Sequence, residues 1–267
     1  MIRESDAFDP DAPVIVIDVG NTHTAIGTWH ERTVKSPLTI ATDDGPAFDE
    51  AFCAQRTAGR ARPRATVVGS VVPDALERLR ARILEQSARS PLVIGEAIPL
   101  PMEVAVDDAR VVGVDRVCAA AAAYDTLKQA CAVVDFGTAV TVDLTDEAGT
   151  FLGGAILPGV AMQLRALSAY AAALPSVEAA VPKSPYGRNT IDAMRVGVCR
   201  GIAGAVRGIV EGYATHLNRW PHVVATGGDA ALLAPLCDFV DTLVSHLTLR
   251  GIGLAYTKHL ADSGVVA

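Results

Sequence analysis

The chain has 267 residues, 50% of them apolar and 20% charged, which is the composition of a folded protein rather than a disordered one. Its net charge of −7 argues against general nucleic-acid binding, which usually needs a basic surface. No apolar run reaches the roughly 18 residues that span a membrane, and the acidic start lacks the features of a signal peptide. We therefore expect a cytoplasmic protein without nucleic-acid or membrane partners, whose five scattered cysteines are reduced core residues.

The chain opens with a polar, acidic stretch that is followed by a strongly apolar one. We interpret residues 1–12 as a flexible extension before the first domain. The β-branched run 14–17 predicts a buried central strand, because a short continuous apolar run closed by a glycine turn is typical of such strands. The turn that closes it is Asp18-Val19-Gly20-Asn21-Thr22.

The second half of the chain repeats the order of elements in the first half. Each half contains a buried strand, a D-x-G turn, a hairpin, and later a strand that leads through small residues into a helix. This duplication predicts two domains, at 13–127 and 128–267. The predicted strands are 14–17, 24–28, 32–39 (after a turn at 29–31), 65–69, 132–134, 140–144, 151–156 and 222–225, and the predicted helices are about 74–86, 117–127, 191–217 and 230–235.

The predicted helix at 191–217 carries two different faces. Its buried face should hold apolar residues at helical spacing, from Ile191 through Met194 to Tyr213. Glycines recur on a neighbouring face, although each exposed glycine costs roughly 1 kcal/mol relative to alanine. Two interpretations stay open: close packing within the core, or close approach across a dimer interface. These glycines are Gly197, Gly201, Gly204 and Gly208.

Each D-x-G turn combines a carboxylate with a backbone that can bend tightly. Gly20 allows successive N–H groups to face an anion, and Asp18 could hold a hydrated Mg²⁺, which takes one or two carboxylates plus phosphate oxygens. A single turn of this kind is also an ordinary way to close a strand. The second copy, in which Asp135 is followed by Thr138 and Thr141, favours binding of nucleotide phosphates between two domains.

Two further motifs could carry chemistry. Gly227 and Gly228 lie between a predicted strand and a predicted helix, where a ligand could approach the backbone, but such a pair is also a simple turn. Asp115, at the start of an alanine-rich helix, is either a capping acid or a general base for a substrate hydroxyl, and Arg116 could hold a carboxylate. The sequence contains no P-loop and no GxGxxG fingerprint.

The order and spacing of eight short motifs resemble those of type III pantothenate kinases, from about Val14 to Tyr256. The motifs are D-V-G-N-T at 18–22, S-V-V-P at 70–73, G-V-D-R at 113–116, D-F-G-T-A-V-T at 135–141, G-G-A-I-L-P-G at 153–159, G-R-N-T at 187–190, T-G-G at 226–228 and L-T-L-R-G at 247–251.

The resemblance implies an α/β fold of two duplicated ribonuclease-H-like domains, each a mixed sheet flanked by helices, with an interdomain cleft. It implies a homodimer that uses ATP to phosphorylate pantothenate to 4′-phosphopantothenate, the first step of coenzyme A biosynthesis. The cofactors that it implies are Mg²⁺ with ATP and a monovalent cation, K⁺ or NH₄⁺.

The resemblance also implies a role for each matched residue. Asp115 would be the catalytic base. Asp135 would help to hold the monovalent cation, and Thr190 would reach pantothenate from the partner subunit. The other pantothenate contacts would be Gly113, Val114 and Arg116. The ATP and phosphate contacts would be Asp18 (which would also bind Mg²⁺), Val19, Gly20, Asn21, Thr22, Thr138, Thr141, Gly227 and Gly228.

One segment departs from the family pattern. Family members commonly carry a tyrosine and then Asn-Pro shortly before G-x-D-R, whereas residues 104–110 contain neither an aromatic residue nor a proline. This departure favours an alternative, a kinase of the same fold that acts on another small hydroxylated acid. A second alternative is a non-catalytic regulatory binding protein, against which Asp18, Asp115 and Asp135 argue.

Overall fold

The structure, a computed structural model, describes residues 12–58 and 63–263. Contacts divide the chain into two compact units. Unit 1 contains the described residues up to Pro101, together with Gly113–Ala119 and the chain from Thr248 onward, and unit 2 contains Met102–Val112 and Ala120–Leu247. Except for Ala12, the predicted extension at 1–12 lies outside the described residues.

Unit 1 is built on a mixed five-stranded sheet with the order β3-β2-β1-β4-β5. The first three strands are antiparallel neighbours, while β4 and β5 continue the sheet in parallel. The strands are β1 Val14–Val19, β2 His23–His30, β3 Thr33–Ala41, β4 Thr66–Ser70 and β5 Leu92–Val93; the helices are α1 Gly45–Thr57, α2 Pro73–Ser87, the start of α3 Val114–Leu127, and, from the end of the chain, α7 Leu247–Asp262.

The β-branched sequence of β1 follows from its central position in this sheet. Ile15, Ile17 and Val19 pack into a buried cluster with α1 and α2 on one face. Val14 and Val16 pack into a second buried cluster with α3 and α7 on the other face. Because both faces of the strand are covered, an uninterrupted apolar run is required rather than an alternating one.

The hairpin between β2 and β3 turns later than predicted. The sequence suggested a turn at 29–31, but Trp29 lies inside β2 and is 5% exposed, and the turn is at Glu31 and Arg32, both with positive φ. The Trp29 ring packs so closely on Gly253 of α7 that a Cβ there would overlap with it, and its Nε1 donates to Thr257 Oγ1 at 3.1 Å. Burial of this indole therefore extends the strand.

Unit 2 repeats the plan of unit 1, with the sheet order β10-β9-β6-β7-β8. Here too, two antiparallel neighbours follow the central strand on one side and parallel strands lie on the other. The predicted α/β class, with two mixed sheets flanked by helices, is confirmed. The strands are β6 Cys131–Phe136, β7 Ala139–Thr145, β8 Phe151–Pro158, β9 His222–Thr226 and β10 Thr242–Leu243; the helices are α4 Val160–Tyr170, α5 Thr190–Leu217 and the single turn α6 Ala230–Leu233.

The structure of helix α5 contradicts one of the two interpretations of its glycines. Met194, Val198, Ile202 and Val206 are buried as predicted, whereas Ile191 is 41% exposed and was wrongly placed on the buried face. The glycines are exposed, and a Cβ added to any of them would meet no atom within 4 Å. Close packing of the glycines within the core is therefore wrong for this helix.

Helix α7 packs in unit 1, a placement that sequence patterns did not predict. Helix α7 places Leu249 and Ile252 in one buried cluster with Val14 and Val16 of β1. The predicted boundary after residue 127 stays a prediction about folding domains, and the compact units group the residues differently.

Two expectations from composition concern membranes and thiols. Among the helices of the described chain, none is both long and apolar enough to cross a bilayer. All five cysteines are free, and four are buried as expected, but Cys53 is exposed.

The contact between α7 and α3 in unit 1 predicts an intolerant glycine. A Cβ at Gly251 would overlap with the backbone carbonyl of Cys118, so Gly251→Ala should destabilise the protein by about 1–3 kcal/mol in urea unfolding. Arg78→Ala is the control, because Arg78 is an exposed residue of α2 in the same unit, and it should change the free energy of unfolding by less than about 0.5 kcal/mol. Equal effects of the two substitutions would contradict the packing described for α7.

Candidate functional site

Asp18 lies near the end of the central strand of unit 1. It pairs with Ala25 on one side and with Gly69 of β4 on the other, and it is only partly exposed. Asn21 and Thr22, in the turn that follows, are exposed. The predicted phosphate-binding sequence therefore places one carboxylate and an accessible polar turn at the end of a buried strand.

The turn after β1 is held by short contacts to its own backbone. Gly20 N donates to His23 O at 3.0 Å, and a Cβ on Gly20 would lie 2.9 Å from that oxygen, so a glycine is needed here. Thr42, the residue after β3, donates its N–H to Thr22 O at 3.0 Å and its hydroxyl to Gly20 O at 2.8 Å. Three hydrogen bonds thus fix this turn.

Asp115 lies in the first turn of α3, and the fold brings it toward Asp18. The preceding residue, Val114, packs against Gly69, which is the strand partner of Asp18; a Cβ on Gly69 would be 3.2 Å from Val114 Cγ1. Burial raises the pKa of the Cys118 thiol well above its ordinary value, and the charges of Asp18 and Asp115 raise it further. Both carboxylates therefore lie near the same buried thiol.

Burial raises the pKa of Asp115 above the ordinary value for an aspartate. The N–H of Arg116, which donates to Asp115 Oδ1 at 2.8 Å, and the charge of Arg116 act in the opposite direction but are smaller effects. A Cβ on Gly113 would lie 2.6 Å from Asp115 Oδ1, so a side chain at this position would displace the carboxylate. The result is a partly dehydrated carboxylate whose proton affinity is increased, which suits a group that accepts a proton.

The predicted residues of the second turn come together in unit 2. Asp135 pairs with Thr141 across β6 and β7 and with Thr226 across β6 and β9. Gly227 has a φ of 102°, and a Cβ on it would overlap with Asp135 Oδ1 and with the carbonyl of Phe136. A left-handed glycine therefore allows the β9 turn to lie directly against the Asp135 carboxylate.

Thr138 and Gly228 are the accessible residues of this second cluster. Both are exposed, as is Gly227, and Thr138 O accepts the N–H of Gly159 at 3.1 Å. Thr190, by contrast, is exposed at the start of α5, where Asn189 caps the helix, and the described contacts join it to neither turn. Its predicted contact with pantothenate stays a prediction.

The segment that departs from the family pattern lies in unit 2. Val104 forms an isolated parallel bridge with Phe151, and Val106 is the neighbour of Gly153. Asp108 accepts from the guanidinium and the N–H of Arg110, and these hydrogen bonds lower the pKa of the Asp108 carboxyl. A local pair of opposite charges therefore lies in the segment that departs from the expected pattern.

Sequence reasoning missed Thr42 and gave no role to Gly159. Thr42 directly follows β3, whose partner strand β2 begins after the first D-x-G turn. Gly159 directly follows β8, whose partner strand β7 begins after the second D-x-G turn. Each residue therefore lies beside its turn. The residue opposite the start of each hairpin could have been found by counting residues through the two hairpins. That count would not have revealed that the Thr42 hydroxyl contacts Gly20 O.

The carboxylates of Asp18 and Asp135 suit cations whose coordination shells are completed by ligands from outside the protein. Among the residues that the structure describes, there is no group of three or more His, Cys, Asp or Glu side chains that could hold a metal ion. Single carboxylates such as Asp18 fit Mg²⁺ that keeps its waters and binds phosphate oxygens. The Asp135 carboxylate with the nearby Phe136 carbonyl is a set of oxygen donors that fits a hard cation.

Comparison with solved structures agrees with this architecture. A Campylobacter jejuni protein named for the Baf family of transcriptional activators aligns with a TM-score of 0.60 and 21% identity, over 94% of this chain and 100% of its own. The ethanolamine utilization protein EutJ from Carboxydothermus hydrogenoformans aligns with a TM-score of 0.53 and 15% identity, over 96% and 93% of the two chains. At these identities the similarity shows the fold alone.

Comparison of sequences is more specific. The model of the type III pantothenate kinase family matches residues 14–212. A type III pantothenate kinase from Anaeromyxobacter sp. (strain K) is 36% identical over 252 residues, covering 92% of this chain and 99% of the relative. Those from Acidothermus cellulolyticus and Geobacillus kaustophilus are 36% and 34% identical, covering 93% and 94% of this chain and 100% of each relative. The chain therefore belongs to the type III pantothenate kinase family.

Proposed function

We propose that the protein transfers the γ-phosphoryl group of ATP to the hydroxyl of pantothenate, giving 4′-phosphopantothenate in the first step of coenzyme A biosynthesis. The observation that carries the proposal is the position of Asp115. In a chain of this family, it is a partly buried carboxylate of raised pKa that shares the surroundings of Asp18 in unit 1. A cytoplasmic location goes with this proposal and stays a prediction.

Asp115 accepts the proton of the pantothenate hydroxyl as that oxygen attacks phosphorus. Because burial disfavours the ionised carboxylate, proton transfer to it is easier than to an exposed aspartate. Arg116, the next residue, binds the pantothenate carboxylate with its planar guanidinium, and the backbone at Gly113 and Val114 completes the acceptor site. Thr190 contributes from the partner subunit.

The first D-x-G turn binds phosphate. The exposed Asn21 and Thr22 offer donors to phosphate oxygens, and the N–H groups of the turn add to them. Asp18 and the phosphates would hold Mg²⁺, which when bound neutralises charge that develops on the transferred group. The remaining ATP contacts of this proposal are Val19, Gly20, Thr138, Thr141, Gly227 and Gly228.

Asp135 would hold a monovalent cation. Its carboxylate lies against Gly227 and near the carbonyl of Phe136, so anionic and neutral oxygens are close together. A K⁺ or NH₄⁺ ion there would offset the charge of Asp135, which would otherwise oppose the binding of ATP phosphates.

Replacement of Asp115 by asparagine should abolish most turnover while ATP still binds. The purified protein with ATP, Mg²⁺, K⁺ and pantothenate should form 4′-phosphopantothenate, detected by mass spectrometry. In Asp115→Asn, kcat should fall by about 10²- to 10⁴-fold, the usual contribution of a general base. The apparent pKa on the acidic side of the kcat profile should lie above that of an ordinary aspartate, because turnover is lost as pH falls through the raised pKa of Asp115.

Asp74→Asn is the matched control, because Asp74 is an exposed acid in the first turn of α2 in the same unit. Near-normal kcat in Asp115→Asn would leave Asp115 as a capping acid. Wild-type protein that binds ATP but forms no 4′-phosphopantothenate would favour another hydroxylated acid, the acceptor change that the Asp108–Arg110 pair suggests. A panel of such acids in the same assay separates these outcomes.

Removal of the monovalent cation should lower kcat/KM for ATP. When K⁺ is replaced by Na⁺, kcat/KM for ATP should fall about 10- to 100-fold, the scale of a lost charge-assisted contact. Asp135→Asn should have the same kcat/KM for ATP in both salts, because a neutral amide neither repels the phosphates nor needs a cation to offset its charge. A wild-type rate that is the same in K⁺ and Na⁺ would contradict a K⁺-selective site at Asp135.

We also propose that two copies of the chain associate through α5. Its glycine face is open in the single chain, and close backbone approach is what exposed glycines allow. Helix α4, which packs beside α5, exposes Met162, Leu167 and Tyr170, the last of them 93% exposed. An apolar surface beside an open glycine face fits a second copy of the same helix pair.

A lysine in the glycine face should dissociate the dimer. Gly204→Lys places an unpaired charge in the proposed contact, which should raise the dimer dissociation constant at least about 100-fold. Light scattering on a sizing column would measure the mass of each species. Glu85→Gln, which changes the net charge equally at an exposed site on α2, is the control. A monomeric wild type, or a dimeric Gly204→Lys, would contradict this interface.

A further inference from the structure

The two D-x-G turns are held by residues in equivalent positions. In unit 1 the strand pairing joins His23 to Ala41, and the next residue, Thr42, donates its N–H to Thr22 O at 3.0 Å. In unit 2 the pairing joins Ala139 to Pro158, and the next residue is Gly159. Gly159 likewise donates its N–H to the carbonyl at the equivalent position of its turn, that of Thr138, at 3.1 Å.

The side chains at these equivalent positions differ for a structural reason. A Cβ on Gly159 would overlap with the carbonyls of Gly137 and Thr138, so that position admits no side chain. The first turn is one residue longer, because Gly20 N reaches His23 O whereas Gly137 N reaches Ala139 O. In unit 1 the Thr42 side chain therefore fits, and its hydroxyl donates to Gly20 O at 2.8 Å.

The hydroxyls of Thr24 and Thr42 beside the first turn form a series of hydrogen bonds in which every donor can be assigned. Thr42 Oγ1 has a single proton, which goes to Gly20 O, since a carbonyl can only accept. In the 3.1 Å contact between Thr24 Oγ1 and Thr42 Oγ1, the donor is therefore Thr24. Thr24 is 1% exposed, so its end of this hydrogen-bonded series is shielded from water, which would otherwise compete for the hydrogen bond.

We propose that Thr42 is a positioning residue for the phosphate turn, and this rests on the proposed function. The carbonyl of Gly20 and the N–H of Asn21 belong to one planar trans peptide group, so they point in opposite directions. When Thr42 holds the carbonyl, the Asn21 N–H is directed away from Thr42, on the exposed side of the turn. A turn that is fixed before ATP arrives does not have to be ordered on binding.

The test compares Thr42→Val, which keeps the shape and removes the hydroxyl, with Thr42→Ser, which keeps the hydroxyl. Thr42→Val should raise both the KM for ATP and the dissociation constant of MgATP, measured by calorimetry, by about three- to tenfold, the range of one hydrogen bond. The KM for pantothenate should stay within twofold of wild type, and Thr42→Ser should restore ATP binding.

Two further variants separate positioning from stability. Thr28→Val removes a hydroxyl of the same strand pair that contacts Gln55 instead of the turn, so it should leave the KM for ATP unchanged. Thr24→Val, which removes only the donor to Thr42, should raise that KM by a smaller factor and serves if Thr42→Val does not fold.

The outcomes are distinguishable from failure of the proposed function. Unchanged MgATP binding in Thr42→Val and Thr24→Val, or an equal effect in Thr28→Val, overturns the positioning role of Thr42. A wild type that binds MgATP but phosphorylates no acceptor overturns the proposed function, while MgATP binding by the variants still decides the role of Thr42. A wild type that binds no MgATP overturns both.

Discussion

Each unit depends on one physical constraint, which is the close approach of backbone to backbone at the end of its central strand. The strands β1 and β6 are covered on both faces, so their apolar residues stabilise the sheet and their terminal acids lie where it stops. The turn after β1 closes on His23 O only because Gly20 has no Cβ, and the β9 turn reaches the Asp135 carboxylate only because Gly227 has none. The glycines are therefore a requirement of the site geometry, and flexibility is not their main contribution.

The same plan gives two chemically different sites. In unit 1, Gly69 is the strand partner of Asp18, and Val114 of α3 packs against it. This contact brings the next residue of α3, Asp115, into the surroundings of Asp18. In unit 2, the residue that lies against the Asp135 carboxylate is Gly227, which brings backbone in place of a second acid. Two carboxylates near one thiol suit the proton transfer that we propose, whereas one carboxylate with a carbonyl suits the proposed cation. The two units share one framework, and local packing at the ends of their central strands differs.

Sequence patterns predicted the elements whose stability is local. The buried strands, the D-x-G turns and most of α5 follow from apolar periodicity and glycine placement. Predictions from these patterns failed where contacts with residues far along the chain determine the structure. Trp29 extends its strand because it packs on Gly253, more than two hundred residues later, and α7 joins unit 1 through contacts with β1. The contact of the Thr42 hydroxyl with Gly20 likewise depends on a side chain 22 residues away.

The burial of Asp115 bears on whether it is a capping acid. An acid in the first turn of a helix stabilises the protein when it is ionised, by about 0.3–1 kcal/mol, because the helix N-terminus favours negative charge. At Asp115 burial outweighs the favourable Arg116 interactions and raises the pKa, so the ionised form is disfavoured by folding. With a folded pKa above the unfolded one, its stabilising contribution exists at low pH and is lost as pH rises through the raised value. At neutral pH this carboxylate therefore costs stability, which is the opposite of what a cap provides and is typical of a group placed for chemistry.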